Sequence, residues 1–276
     1  MKLVSLNTWG GRYFEPLMEF LTSVDADIYC LQEVFDSPED EFYSDETDPA
    51  NSHRSKVRAN LFDEIQKQLP QYRGFMHAAC RWELADRPHG KNVPCEFGIA
   101  TFVRKNIPIF GSIADFVYED YRSIPQVDKP TPRIMHGVRI LDPKTGRAHV
   151  VAHMHGLWIA EGKHHTTDRM NQAALFAGYI GHIKHEEDSV IACGDFNILP
   201  DDPSFVFWKA CDLTDQVVAS GFGGTRTRLY YDQPSKKGQP LYADYLLTTP
   251  NLKKKRLEVL YNVIVSDHCP LLFEFE

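Results

Sequence analysis

The chain has 276 residues, with 30 basic and 38 acidic side chains and a net charge of −8 at pH 7. Apolar residues make up 43% and charged residues 25%, with 17 Gly and 17 Pro, which excludes a collagenous, low-complexity or wholly disordered chain. The acidic balance excludes a globally basic nucleic-acid coat, but not a local basic patch or a metal-bridged contact with phosphate.

A chain this long is expected to bury roughly three quarters of its surface, enough for one large core without staples. The six cysteines are scattered without C-x-x-C spacing, and several lie inside apolar runs such as IYCLQ and VIACG. They read as small buried hydrophobes in a reducing compartment. The first residues, MKLVSLNTWGG, lack the apolar core of a signal peptide, and no window reaches the ~18 apolar residues of a membrane span. A cytoplasmic monomer without a membrane span is expected.

In chain order, KLVSL predicts a strand broken at Asn7 to Gly11, and residues 13–24 carry helical spacing with Pro16 in the first turn. Residues 28–31 predict a short strand ending at Gln32 and Glu33. Residues 36–55 are acidic and polar and read as a surface insertion, while residues 56–69 predict an amphipathic helix. Strands are predicted over 97–105 and 134–141.

The second half repeats the layout. AHVVAHMHG is an apolar run ending at His153, residues 169–183 form an Ala-rich helix, and SVIACGDFN is an apolar strand ending at Asp195 and Asn197. Strand-like segments over 242–250, 256–266 and 269–276 follow, giving eight to twelve strands in all. Lys253 to Arg256 reads as a solvated strand edge. The repeat suggests two similar layers packed face to face with helices outside.

Polar groups therefore stand where strands run out: Asn7, Glu33, His153, Asp195 and Asn197, then Asp244 in LYADYLL and Asp267-His268 in VIVSDHCPLL. An Asp inside an apolar strand is costly unless paired, so Asp244 calls for a partner such as a His ring. Carboxylates and amides suit a hard cation, Mg²⁺ or Mn²⁺, and such a set serves hydrolysis of a phosphate ester. A zinc hydrolase built on HMH and His164-His165 lacks H-E-x-x-H.

Five motifs carry a resemblance: LNTWG at 6–10, LQEV at 31–34, AHMHG at 152–156, GDFN at 194–197 and SDHCPL at 266–271, with ADYLL at 243–247 as a weaker sixth. In this order they resemble the endonuclease/exonuclease/phosphatase superfamily, across nearly the whole chain. The resemblance implies one DNase-I-like domain over 1–276, a four-layer α/β/β/α sandwich of two packed mixed β-sheets flanked by helices. It implies that Glu33 binds a catalytic Mg²⁺ (or Mn²⁺), with Asn7 beside it and Asp267 supporting the metal side. Asp195 and Asn197 would orient the attacking water or handle the leaving oxygen, and His153 would donate to a phosphate oxygen. His268, oriented by Asp244, would stabilise charge developing on phosphorus.

The chain departs from the family's THL at AHMHG, where His153 aligns and His155 reads as a further phosphate donor or, the favoured reading, a pleat neighbour. Arg226 and Arg228 are candidate phosphate grips, and Trp158, like Trp9, is a candidate stacking ring. Tyr72, His77 and Arg104 are candidates for the family's middle positions, and Arg169 and Gln172 read as helix-supporting groups. The expected function is a Mg-dependent phosphoesterase cutting a phosphodiester, nucleic acid among the candidate partners. The alternatives are a small-molecule phosphatase for a phosphoinositide or nucleotide monoester, and a catalytically inactive binding relative.

Overall fold

A computed structural model describes residues 1–38, 42–44, 56–86, 91–123 and 130–276. The first unit folds as β1 (Lys2–Asn7), α1 (Phe14–Ser23) and β2 (Ile28–Asp36). Beyond it, β3 (Phe42–Ser44) pairs with β4 (Lys56–Arg58), and α2 (Leu61–Gln68) follows. The helix expected over 56–69 thus begins only at Leu61, because residues 56–58 are taken up by strand pairing. Most of the acidic insertion at 36–55 lies outside the described residues.

The middle of the chain supplies β5 (Tyr72–Asp86), β6 (Lys91–Arg104), β7 (Ile109–Tyr118), β8 (Arg122–Ser123) and β9 (Arg133–Leu141). The second unit is β10 (Ala148–His155), α3 (Thr167–Ile183) and β11 (Ser189–Asp195). After it come α4 (Phe205–Lys209), β12 (Thr214–Asp215), α5 (Gln216–Ala219), α6 (Arg228–Tyr231), β13 (Asp244–Thr248), β14 (Lys254–Val259) and β15 (Leu271–Phe275). Among the described residues there are fifteen strands rather than eight to twelve, several of them only two or three residues long.

Two mixed sheets result. One runs β14-β15-β1-β2-β6-β5-β8, the other β12-β13-β11-β10-β9-β7. Each is centred on a parallel pair, β1 with β2 and β10 with β11, bordered by antiparallel strands. Alternation along each strand explains the layering. Leu3, Ile28, Cys30 and Val103 meet Val138, Val151, Ile191 and Cys193 between the sheets. Their neighbours Val4, Leu6, Tyr29 and Leu31 face outward under Leu17, Leu21, Leu61 and Ile65 of α1 and α2.

The other outer face is covered by α3, whose Ala173, Phe176, Ala177 and Ile180 follow helical spacing and pack on Val150, Ala152, Val190 and Ala192. Thr166 caps that helix by accepting from the Arg169 amide at 3.2 Å. Truncating Phe176 to Ala would cost about 3–5 kcal/mol, as for other fully buried aromatics. Because both faces of the central strands are buried, they read as continuous apolar runs. All six cysteines carry free thiols. Among the described residues no helix is long and apolar enough to cross a membrane. Lys253 to Arg256 flanks and opens β14, an edge strand, and Lys253 pairs with Glu276 at 2.7 Å.

Candidate active site

The two parallel pairs end at the same edge of the sandwich, and their last residues build a cleft of about 360 Å³. At the end of β1, Asn7 Oδ1 accepts from the Trp9 amide at 3.0 Å, a turn that fixes the carboxamide. Asn7 Nδ2 then donates to Glu33 Oε1 at 2.9 Å and to Asp195 Oδ2 at 3.0 Å, tying one sheet to the other.

Glu33 sits where the β2–β6 register slips between Gln32 and Val34, and its φ is +55°. A bulge of this kind takes a side chain off the ladder and re-aims it, here into the cleft. Across the cleft, Gly194 has φ +128°, and a Cβ there would stand 2.2 Å from the Met154 carbonyl oxygen. Only glycine brings β11 that close to β10 just before Asp195. Asn197, at φ +53°, donates its amide to Asp195 Oδ1 at 3.0 Å.

His268 Nδ1 donates to Asp244 Oδ2 at 2.8 Å, and Thr225 Oγ1 donates to the same oxygen at 2.7 Å. His268 Nε2 lies 3.5 Å from Asp195 Oδ2 and 3.9 Å from Asp267 Oδ1. Burial pushes the imidazole down to about 4 and the Asp244 carboxyl up to about 6. At pH 7 the ring is therefore neutral, with Nδ1–H on Asp244 and Nε2 bare. Arg226 Nη1 donates to Asp267 Oδ2 at 2.8 Å and lies under the Tyr230 ring, 4.4 Å from its centroid.

The Glu33 carboxyl is pushed up to about 7, first by burial and then by the negative charges of Asp267 and Asp195. Three carboxylates thus converge, with Arg226 paired to Asp267 and Arg133 in the cleft wall as the nearby positive charges. Asn197 Oδ1 is buried and has no hydrogen-bond partner among the described residues. Crowded carboxylates beside an orphan carbonyl oxygen fit a hard divalent cation. Asp195, Asp244 and His268 also bring ligand atoms within 4.8 Å of one another, but the Asp244 oxygens already accept from His268 and Thr225.

Of the residues singled out from the sequence, Glu33, Asp195, Asn197, Trp158, Arg226, Asp267 and His268 line the cleft. Asn7 and Asp244 stand behind it, each bonded to a lining residue. Two expectations are corrected. His153 does not reach the cleft: it is buried between the sheets, bonded to Gln32 and Thr101. The strand runs two residues past His153, so His155, on the same face, is the histidine at the mouth. Arg228 is exposed and turns away at the start of α6, since successive residues after Arg226 diverge where the helix begins.

Sequence reasoning passed over Arg133, the first residue of β9. It is buried in the cleft wall, donates from Nη1 to His155 Nδ1 at 3.3 Å, and its Nε has no hydrogen-bond partner among the described residues. Its one signal is a basic residue opening an apolar strand directly after two prolines. Because Arg133 occupies Nδ1, the His155 proton sits on Nε2, which faces Glu33 Oε1 at 3.9 Å and Asp195 Oδ2 at 3.8 Å.

Tyr72, His77 and Arg104 lie elsewhere. Tyr72 donates to the Ala26 carbonyl, Arg104 reaches Asp25 and Tyr72, and the His77 ring lies 4.2 Å from that of His136. Arg169 is buried and donates to the carbonyls of Leu157, Gly162 and His164, while Gln172 Oε1 accepts from the Leu157 amide at 2.8 Å. Together they brace the loop that presents Trp158, 52% exposed, at the lip of the cleft.

The model of the Endonuclease/Exonuclease/phosphatase family matches residues 4–268. No curated protein matches the sequence. Among solved structures, the chain is similar to an endonuclease/exonuclease/phosphatase from Bacteroides vulgatus at 18% identity and TM-score 0.64, covering 100% of this chain and 98% of that one. It is also similar to the mannosyl-6-phosphatase of Bacteroides thetaiotaomicron, at 19% identity and TM-score 0.65, with 100% and 99% covered. The human Nocturnin catalytic domain, with bound sulfate, matches at 16% identity and TM-score 0.63, with 100% and 93% covered. From the two facing sheets, the edge cleft and the match over nearly its full length, the chain belongs to the endonuclease/exonuclease/phosphatase family.

Proposed function

We propose that the protein is a divalent-cation-dependent phosphoesterase. The observation that carries this reading is the convergence of Glu33, Asp195 and Asp267 with His155 and His268 at one strand-end cleft. Glu33 and Asp267, with Asn7 behind fixing the Glu33 carboxylate, would hold Mg²⁺ or Mn²⁺, which supplies Lewis acidity at the phosphoryl group when bound. Asp195, fixed by Asn7 and the Asn197 amide, orients the attacking water and accepts its proton as the water oxygen bonds to phosphorus and the ester bond breaks.

His155 offers Nε2–H to a phosphoryl oxygen, the role first expected of His153. An arriving phosphate anion favours the charged form of His268, whose second proton then faces phosphorus while Asp244 holds the first. Arg226 and Arg133 supply the remaining positive charge. Each such donor is worth about 10²–10³ in rate.

The cleft favours a compact ester over a long duplex. Its volume suits a small ligand, and the net charge of −8 opposes a polyanion. Beyond the acidic floor, Trp9, Trp82, Trp158 and Tyr230 form apolar walls suited to a ring-bearing leaving group. The test is a panel of sugar phosphates, nucleotides, phosphoinositides and short DNA and RNA, assayed with Mg²⁺ or Mn²⁺. Release of phosphate from ring-bearing monoesters is expected, with slower cutting of oligonucleotides. No metal-dependent hydrolysis of any member would overturn the reading.

A further inference from the structure

Among the described residues, a line of polar side chains crosses the apolar space between the sheets, separate from the buried His149–Ser189 pair. Gln32 on β2 and Thr101 on β6 face His153 on β10 and His136 on β9, and Ser112 on β7 follows. Buried polar groups are costly unless partnered, and among the described residues each nitrogen and hydroxyl of this seam has a partner, whereas Gln32 Oε1 has none. We propose that this seam is a one-directional hydrogen-bond chain that positions Glu33, with His153 as its central positioning residue. The proposal rests on the reading of Glu33 as a cation ligand.

The direction follows from one fixed end. Gln32 Nε2 lies 3.1 Å from the Cys30 carbonyl, which only accepts, so the carboxamide nitrogen is the end that points there. Its second proton therefore goes to His153 Nδ1 at 3.1 Å. His153 then carries its proton on Nε2 and donates to Thr101 Oγ1 at 2.8 Å. The single Thr101 proton passes to His136 Nδ1 at 2.6 Å, so His136 is protonated on Nε2 and donates to Ser112 Oγ at 3.0 Å. Burial holds both rings neutral, with His136 pushed down to about 3 and His153 well below the usual range. Ser112 is exposed, so the chain runs from beside the cleft to solvent.

What the chain holds is the residue before the bulge. The Gln32 carbonyl accepts from the Thr8 amide and from Thr8 Oγ1, both at 2.9 Å, and Thr8 Oγ1 also reaches the Glu33 carbonyl at 2.9 Å. Gln32 is thus held on its backbone by its own sheet and on its side chain by the other. Glu33 follows immediately in the left-handed region, a conformation that persists only where its surroundings impose it. The chain also gives a role to His153, one strand repeat short of the cleft.

The test uses the full chain with ¹⁵N-labelled histidine. Long-range ¹H–¹⁵N spectra of the wild-type protein should show a protonated Nε2 and a bare Nδ1 at both His153 and His136. A protonated Nδ1 at either ring would overturn the proposal without need of any variant. Thr101→Val keeps the side chain's shape and removes the central link. It should weaken Mn²⁺ binding roughly tenfold, as loss of an outer partner of a metal ligand does, and move the Glu33 backbone ¹³C signals away from left-handed values. Ser112→Ala should leave Mn²⁺ affinity within about twofold, because water replaces the exposed hydroxyl. A folded Thr101→Val protein with wild-type affinity and unchanged Glu33 signals would refute the positioning role. If the wild-type protein binds no Mn²⁺, the cation reading fails, and the chain is judged in the metal-free protein by the tautomers and the Glu33 signals.

Discussion

The parallel pairs β1–β2 and β10–β11 share a geometry and differ in chemistry. Both end at the same edge, and both turn through a residue in the left-handed region, Glu33 in one and Asn197 in the other. The first pair ends in Asn7 and Glu33, groups that suit a cation. The second ends in His155 and Asp195, to which the proposed function gives the handling of protons and phosphoryl oxygens. Asn7 joins the two by donating to both carboxylates from one nitrogen. On the proposed function, a repeated strand-end scaffold divides charge neutralisation from proton transfer, and Asn7 ties the two halves together where the sheets meet.

The sharpest way to break the division is to disable one member of each side. Glu33→Gln and Asp195→Asn should each lower turnover by at least about 10³-fold in a steady-state assay, since each removes a charge on which several neighbours depend. His155→Ala should lower kcat by about 10²-fold. If it instead left kcat untouched, the second pair would have no donor at that position. On the leaving-group side, Trp158→Ala should raise KM about tenfold for a ring-bearing ester with kcat little changed, because stacking is lost without loss of chemistry. Arg228→Ala should alter neither constant by more than about twofold, as its side chain is exposed and outside the cleft.

Stability gives an independent comparison. The Glu33 carboxyl lies near 7 in the folded chain against 4.5 ordinarily, so the unfolded chain ionises first. Folding stability is therefore lost as pH rises from about 4.5 through 7, and the loss is complete above that. Without added metal, Glu33→Gln should be about 3 kcal/mol more stable than wild type at pH 8. The gap should close toward pH 5, as read from denaturant midpoints. A destabilised variant at pH 8 would show that Glu33 is already neutralised by the protein alone.

Much of this was legible in the sequence, for physical reasons. Strands buried on both faces leave apolar runs, and polar groups where those runs stop mark the sheet edge. That logic located Asn7, Glu33, Asp195, Asn197, Asp267 and His268. It failed between His153 and His155 because both lie on one face of β10, and only the strand's true length decides which reaches the mouth. It passed over Arg133 because a basic residue at a strand's start looks like an ordinary edge group until the second sheet closes over it. The seam of Gln32, Thr101 and His136 was invisible, since its members come from strands far apart in sequence.

The most direct test of the divided site is a Mn²⁺ titration by calorimetry of three proteins: wild type, Glu33→Gln and His268→Asn. Glu33→Gln is expected to lose binding, whereas His268→Asn is expected to bind within a few-fold of wild type yet hydrolyse no ester. Unchanged binding by Glu33→Gln, or binding lost with His268, would contradict the divided site.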